Sequence, residues 1–215
     1  MPCFKKNEAN ILFIHIPKTG GTSLEVYFSS KYNIPLNEKS LYFYIRDEKL
    51  LNANINIKSS LTHMTYNEII ENHKILDIDL ENIKIITIVR NPYERIMSDL
   101  FYYKLIKSES SKEEVCDIIK KYLVSDKYDN HNIPQYKYIT NEKEEIIQNI
   151  HILRFESLIN DMKKIGYEDF NVYENVNPNK VNYYSYLNNE TIENINNFYN
   201  LDFILFDYKK ITREL

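Results

Sequence analysis

Glycine and cysteine are both scarce in this chain, and each scarcity narrows what the protein can be. Only 3 of the 215 residues are glycine, so two adjacent glycines are conspicuous. The two cysteines, Cys3 and Cys116, are too few for a disulfide framework or a cysteine metal site, and we expect two unpaired thiols in a reducing compartment. Tryptophan is absent altogether.

Long apolar runs and an excess of positive charge are also missing. No run approaches the roughly 18 apolar residues of a membrane-spanning helix. The first residues, MPCFKKNEAN, lack the apolar core of a secretion signal. We therefore expect a cytoplasmic protein with no membrane span. The net charge of −4 argues against a general nucleic-acid-binding protein, because such proteins carry a basic face. The length fits a single domain over residues 1–215.

The paired glycines lie in the stretch ILFIHIPKTGGTSLEVYF at residues 11–28. Glycine is used where the backbone adopts conformations that other residues avoid, or where it approaches a ligand closely. The apolar run at 9–16 predicts a buried strand, and the spacing of Thr22 and Glu25 predicts a capping box that starts a helix. A strand, a tight loop and a helix in this order direct backbone N–H groups towards an anion. The residues predicted to bind that anion are Lys18, Thr19, Gly20, Gly21, Thr22 and Ser23.

Strand and helix patterns alternate along the rest of the chain. Further strands are predicted over 41–46, 57–63, 83–89 and 149–155, and helices over 66–74, 91–106, 112–123, 156–166 and 189–200. This alternation predicts an α/β fold, a P-loop-like three-layer sandwich with a central parallel sheet flanked by helices. Ligands of such sheets bind at the carboxyl ends of the strands, where we expect Lys18, His63 and Arg90.

The order of residues in the loop differs from that of nucleoside triphosphatases. Their phosphate loop reads G-x-x-x-x-G-K-[ST], whereas here Lys18 precedes the glycines and Thr22 and Ser23 follow them. The strand predicted at 83–89 is followed by Arg90 and not by an aspartate that could hold magnesium. A phosphotransferase (kinase) that uses a nucleoside triphosphate is therefore an alternative interpretation, and no metal site is expected.

Four motifs resemble one known family. HIPKTGGTS resembles the 5′-phosphosulfate loop of sulfotransferases that use 3′-phosphoadenosine 5′-phosphosulfate (PAPS), above all the carbohydrate branch that includes the heparan 2-O- and chondroitin/dermatan enzymes. IVRNPYERIMSDLFYY resembles the 3′-phosphate site of that family, with Arg90 and Ser98 at the matching positions. HNIPQYKYI at 131–139 and FYNLDFILFDY at 198–208 resemble further segments of the same branch. The motifs occur in the family's order.

The resemblance implies a PAPS-dependent, metal-independent sulfotransferase that sulfates a hydroxyl of a glycan or glycoconjugate. It implies that Lys18 stabilises the sulfuryl group and the leaving phosphate, while the loop amides bind the 5′-phosphate. Arg90 and Ser98 would bind the 3′-phosphate, and a planar guanidinium can indeed bind two phosphate oxygens together. In-line transfer to an alcohol also needs a base that accepts the alcohol proton.

Five histidines compete for the role of that base. LTHMTY resembles the family segment that carries the base, so His63 is the first candidate. His131 is the second, as a base or an acceptor contact, and Gln135 in the same motif is a further candidate to contact the acceptor. The other three are expected to have different roles: His15 in the core or site wall, His73 in solvent and His151 in structure.

Several residues near the motifs have simpler interpretations. Arg90 could instead pair with Glu94 or another carboxylate. Arg95 is interpreted as a surface charge, with a contact to the 3′-phosphate as the alternative. The tyrosine pair at 102–103 is interpreted as part of the core, with a platform for the acceptor as the alternative.

Residues 171–187 are expected to cover the nucleotide, with Lys180 as a possible contact of the 3′-phosphate. Packing roles are expected for Phe203 and Tyr208.

The acidic balance of the chain bears on the acceptor. The region 29–60 is short and not basic, which favours an acceptor of low charge such as a neutral glycan, a lipid-linked sugar or a small alcohol. A catalytically inactive protein that binds PAPS or its product is a third interpretation.

Overall fold

The computed structural model describes residues 1–6, 9–37, 40–42, 59–172 and 181–212, which form an α/β structure. The strands are β1 (Cys3–Lys6), β2 (Ala9–Ile14), β3 (Lys84–Val89) and β4 (Ile150–Arg154). The helices are α1 (Gly21–Tyr32), α2 (Tyr66–Asn72), α3 (Pro92–Tyr102), α4 (Lys112–Leu123), α5 (Leu158–Lys164), α6 (Asn189–Phe198) and α7 (Asn200–Leu205). None of the helices in these ranges is both long and apolar enough to cross a membrane.

The four strands form one sheet in the order β1-β2-β3-β4. β2, β3 and β4 are parallel, as the sequence predicted, but β1 pairs with β2 in the antiparallel direction. Only two residues separate β1 from β2, which is too short for the crossover that a parallel pair requires. The prediction of a wholly parallel sheet was therefore wrong at this edge strand, which the sequence analysis missed.

Helices cover both faces of the sheet. Successive side chains of a strand point to opposite faces, and β2 is apolar on both. Phe13 packs with Leu24 and Phe28 of α1, whereas Leu12 and Ile14 pack in a separate cluster that includes Ile69 of α2. A third apolar cluster joins α3, α4, α6 and α7 beside the sheet.

Side chains or proline define three of the helix starts. Thr65 and Glu68 form a complete capping box at α2, and Pro92 opens α3 after Asn91 caps it. The side chain of Ser111 caps α4. The segment predicted as one helix over 189–200 ends at residue 198 and is followed by the separate α7.

Two predicted elements differ from the structure, and a third cannot be compared with it. Residues 61–63 of the strand predicted over 57–63 form a 3-10 turn, in which the His63 N–H donates to the Ser60 carbonyl. Thr22 and Glu25 form no capping box, because α1 is capped by Gly20 and Glu25 is fully buried. The strand predicted over 41–46 lies largely outside the described residues, as do Lys180 and much of the 171–187 segment.

Candidate active site

The loop between β2 and α1 has the shape of an anion-binding turn. Gly20, the N-cap of α1, is left-handed with φ 87°, and Lys18 is also left-handed with φ 65°. The buried Thr19 hydroxyl donates to the Ile16 carbonyl over 2.8 Å and fixes the turn from within. The loop therefore ends at the amino terminus of a 12-residue helix, whose first N–H groups have no partners within the helix.

Each glycine of the pair has its own reason to lack a side chain. A Cβ on Gly20 would lie 2.8 Å from the Phe155 ring, in addition to the strain of its positive φ. A Cβ on Gly21 would lie 2.6 Å from Nε2 of His15. The loop is thus packed directly against one aromatic ring and one imidazole.

Arg90 follows β3 and connects the carboxyl ends of two neighbouring strands. Its guanidinium donates to the Lys18 carbonyl over 3.2 Å and to Glu94 over 3.1 Å, and it lies 4.3 Å from the centroid of the Phe155 ring. Its buried Nε has no hydrogen-bond partner among the described residues. The charge of the guanidinium is paired with Glu94, but a buried N–H without an acceptor is costly, so Nε suits an anionic partner. Ser98 lies half-buried on α3, two turns further along.

His63 is tied to Asp129, a residue that the sequence analysis did not single out. Nδ1 of His63 is 2.7 Å from Oδ2 of Asp129, and the same carboxylate accepts from the backbone N–H and the hydroxyl of Ser60. Burial lowers the pKa of the His63 imidazole to about 4, against the opposing effect of Asp129. Burial raises the pKa of Asp129, but the hydrogen bonds from His63 and Ser60 outweigh it and lower the pKa to about 2. The pair is therefore a neutral imidazole and a carboxylate at neutral pH.

Aromatic contacts lead from the loop to His63 and back to the loop. The rings of His15 and His63 are 5.4 Å apart, those of His63 and His131 4.7 Å, and those of His131 and Tyr102 5.9 Å between centroids. The Lys18 ammonium lies 4.1 Å from the centroid of the Tyr102 ring. We call these four residues, His15, His63, His131 and Tyr102, the aromatic arc. It begins beside Gly21 and ends at Lys18, so it brings the predicted loop and both candidate histidines into one site.

Carboxylates also hold the two outer histidines of the arc. Nδ1 of His15 is 2.6 Å from Glu25, and Nδ1 of His131 is 2.8 Å from Asp99. Asp99 also accepts from the Tyr122 hydroxyl. His15 lies in the wall of the site, in agreement with its expected role. His73 and His151 are not part of the arc.

Gln135, predicted to contact the acceptor, and Arg95, predicted at the surface, are both buried. Gln135 is fully buried, and its amide bonds to both the N–H and the carbonyl of Arg90 over 2.9 Å, so it braces the end of β3. Arg95 was predicted at the surface, which is wrong: it is 2% exposed and donates to the carbonyls of Pro17, Ile133 and His131. This arginine joins the loop to the segment that carries His131.

Tyr102 also differs from its interpretation as a core residue. Its side chain is 60% exposed and forms the outer end of the aromatic arc. Neither Tyr102 nor Asp129 has a sequence signal of its own. Their positions beside Lys18 and His63 depend on contacts between distant parts of the chain.

His63, Asp129 and His131 offer one possible metal-ligand atom each within 4.8 Å of the others. The hydrogen bonds already described occupy both oxygens of Asp129 and Nδ1 of each imidazole. Nε2 of each imidazole and the second lone pair of Asp129 Oδ1 are left to bind such a metal. As it stands, the group is a hydrogen-bonded histidine–carboxylate dyad with a neighbouring histidine.

The fold and this site together define an α/β protein in which a glycine loop at a helix amino terminus lies beside a histidine–carboxylate pair. The chain belongs to the sulfotransferase family, because the model of that family matches residues 3–209. This family transfers sulfuryl groups. No curated protein and no solved structure matches the chain.

Proposed function

We propose that this protein transfers the sulfuryl group of PAPS to a hydroxyl of a weakly charged carbohydrate, with His63 as the base. The observation that carries the proposal is the aromatic arc, which connects the phosphate loop to a histidine–carboxylate pair. Such a pair serves an acceptor that must lose a proton during transfer. PAPS carries a 5′-phosphosulfate and a separate 3′-phosphate and needs two anion sites. A phosphotransferase that uses a nucleoside triphosphate has no need of a site for a 3′-phosphate.

In this proposal the donor PAPS binds as a co-substrate across two strand ends. The loop from Lys18 to Ser23 is P-loop-like and takes the 5′-phosphosulfate, with backbone N–H groups on the phosphate and the Lys18 ammonium on the sulfuryl oxygens. Arg90 and Ser98 take the 3′-phosphate. The unpartnered Nε of Arg90 supports this role, since its buried N–H has no acceptor among the described residues and can donate to a phosphate oxygen.

The reaction needs only one proton acceptor. The acceptor hydroxyl attacks sulfur, the bond from sulfur to the bridging oxygen breaks, and adenosine 3′,5′-bisphosphate (PAP) leaves with the electron pair of that bond. Nε2 of His63 takes the hydroxyl proton, because Nδ1 is held by Asp129. Lys18 neutralises charge that develops on the sulfuryl and leaving oxygens.

An acidic cavity borders the backbone of the turn that carries His63, although the His63 side chain does not line it, and this cavity favours an acceptor of low charge. The cavity, of about 450 Å³, lies between α2 and the segment 133–144, and Asn130 in its wall donates to the His63 carbonyl. Its lining includes four glutamates and a single lysine: Glu68, Glu71, Glu142, Glu144 and Lys137. A highly sulfated polysaccharide would meet repulsion there, whereas a neutral glycan would not.

Calorimetry of PAP binding tests the donor site. We expect wild-type protein to bind PAP without magnesium, and Arg90→Ala to bind it roughly 10- to 100-fold more weakly, because charge-assisted hydrogen bonds to phosphate are lost. Arg90→Lys keeps the charge but not the fork and should be intermediate. Lys112→Ala is the control, since it removes an exposed positive charge at the start of α4.

The outcomes separate the three interpretations. Binding that requires magnesium and a nucleoside triphosphate would support the kinase instead. Tight PAP binding with no sulfuryl transfer to any alcohol or sugar, in wild type and His63→Ala alike, would support an inactive binding protein. Equal affinity of wild type and Arg90→Ala for PAP would remove the assigned 3′-phosphate site.

A further inference from the structure

The ring of Tyr102 lies at the edge of the site and is not part of a hydrophobic core. It is the last residue of α3, and its side chain is 60% exposed. The other large side chains of this helix, such as Tyr93 and Leu100, are buried. Burial therefore does not explain this tyrosine, and its contacts need a separate reason.

One contact of the ring is with the Lys18 ammonium, 4.1 Å from the ring centroid. This distance is within the range of a cation–π interaction. No carboxylate in the described ranges forms an ion pair with Lys18, although Asp99 acts on it from a distance and Arg90 repels it. Burial lowers the pKa of Lys18, which means that desolvation acts against its charged form. The face of the Tyr102 ring is the direct partner that favours the charged form.

The Tyr102 ring also packs edge-on against its neighbour Tyr103, with centroids 5.1 Å apart, and it contacts His131 across the site. The rings of Tyr102 and His131 are nearly parallel, at 11°, with centroids 5.9 Å apart. The His131 ring is fixed in turn by Asp99 and packs edge-on against His63. The position of the Tyr102 ring is therefore set by the same group of residues that sets the candidate base.

We propose that Tyr102 is a positioning residue that holds the Lys18 ammonium, charged and directed into the site, in register with His63. The inference rests on the proposed function for what Lys18 does, but not for the contact itself. Lys18 has four rotatable side-chain bonds and a left-handed backbone at φ 65°. Without the ring, the ammonium would be free to turn into solvent, away from the sulfuryl group.

The first test measures the contact directly on the free protein. Lysine amines are labelled by reductive methylation with ¹³C, and the Lys18 signal is identified by its loss in Lys18→Arg. We expect Tyr102→Phe to leave the titration of Lys18 unchanged, because the ring face is kept. Tyr102→Leu keeps apolar volume but removes the π-system, and should shift the proton equilibrium of Lys18 about tenfold towards the neutral amine.

The second test asks whether the ammonium is held for the sulfuryl group. PAPS and PAP differ by that group, so the ratio of their affinities measures what Lys18 adds. We expect Tyr102→Leu to reduce the preference for PAPS several-fold while binding PAP nearly as wild type does. Tyr102→Phe should restore the preference, which a general loss of folding would not allow.

The outcomes distinguish this inference from the proposed function. An unchanged Lys18 titration in Tyr102→Leu would overturn the contact, whatever nucleotide binds. A shifted titration with an unchanged ratio of PAPS to PAP affinity would overturn the positioning role. Failure of the wild-type protein to bind either nucleotide would instead overturn the proposed function, and the titration would still decide whether Tyr102 holds Lys18.

Discussion

The environment of His63 fixes a single tautomer of its imidazole. The Nδ1–H of His63 donates a hydrogen bond to Asp129, and two further hydrogen bonds from Ser60 hold this carboxylate. The lone pair is therefore on Nε2. With a pKa of about 4, the imidazole is unprotonated at neutral pH and can accept a proton, but it is a weak base. In the proposed reaction, Asp129 compensates by favouring the imidazolium that forms on proton transfer to His63.

Asp129→Asn tests this compensation. The variant removes the charge that opposes the burial of His63, so the pKa of His63 should fall further below 4, as measured by proton NMR of the imidazole. The release of PAP from PAPS, with water or a small alcohol as acceptor, should slow by at least about tenfold. This is part of the rate enhancement of about 10²–10⁴ that a general base contributes. If the titration of His63 is the same in Asp129→Asn, the assigned hydrogen bond has no electrostatic role.

The connection from β2 through the loop to α1 is the element that the sequence predicted best. An apolar strand, two glycines and a helix after them are local signals, and all three are found in the structure. The cap of the helix was not predicted correctly, because Glu25 turns inward to His15 and is unavailable for a capping box. The element therefore departs from the local rule where it borders the site.

The helix ends provide a matched pair for testing the loop. Gly20 before α1 and Gly166 after α5 both have positive φ, but a Cβ would meet Phe155 only at Gly20 and nothing within 4 Å at Gly166. We expect Gly20→Ala and Gly166→Ala each to lose about 1–2 kcal/mol of unfolding free energy through backbone strain, measured by denaturant titration. Only Gly20→Ala should also weaken PAP binding, and equal PAP binding by both variants would contradict a role for the loop.

At the scale of the whole molecule, the site depends on contacts that span the chain. Strands β2, β3 and β4, the glycine loop and the end of β3 follow local patterns and could be predicted, whereas β1 was missed. His63 was predicted to end a strand, but it lies in a 3-10 turn held by Asp129, 66 residues away. Arg95 was predicted at the surface because it is charged. The periodicity of the sequence cannot show that three backbone carbonyls accept its hydrogen bonds in the interior. Such pairings arise from tertiary packing, which overrides local pattern.

Two buried groups give the stability of the molecule opposing responses to acid. Burial raises the pKa of Asp202 to about 6, against hydrogen bonds from Gln135 and Tyr136, so this carboxyl favours the folded state as the pH falls from 6 towards 4. His63 has the opposite effect. Its pKa is about 4 when folded and about 6.5 when unfolded, so the unfolded chain takes up the proton first and stability falls between those values.

His63→Gln should remove the second of these responses and leave the first. At pH 7 the histidine of wild type and the glutamine of the variant are both neutral, so protonation contributes no difference in unfolding free energy between the two proteins. Near pH 4.5 the unfolded wild-type chain binds a proton at His63 that the folded chain does not, which costs wild type about 2 kcal/mol relative to the variant. Urea titrations of both proteins at the two pH values measure this difference, with His73→Gln as the control outside the site. A difference that does not change with pH would mean that His63 is as easily protonated in the folded protein as in the unfolded chain, and the neutral imidazole on which the proposed base depends would be lost.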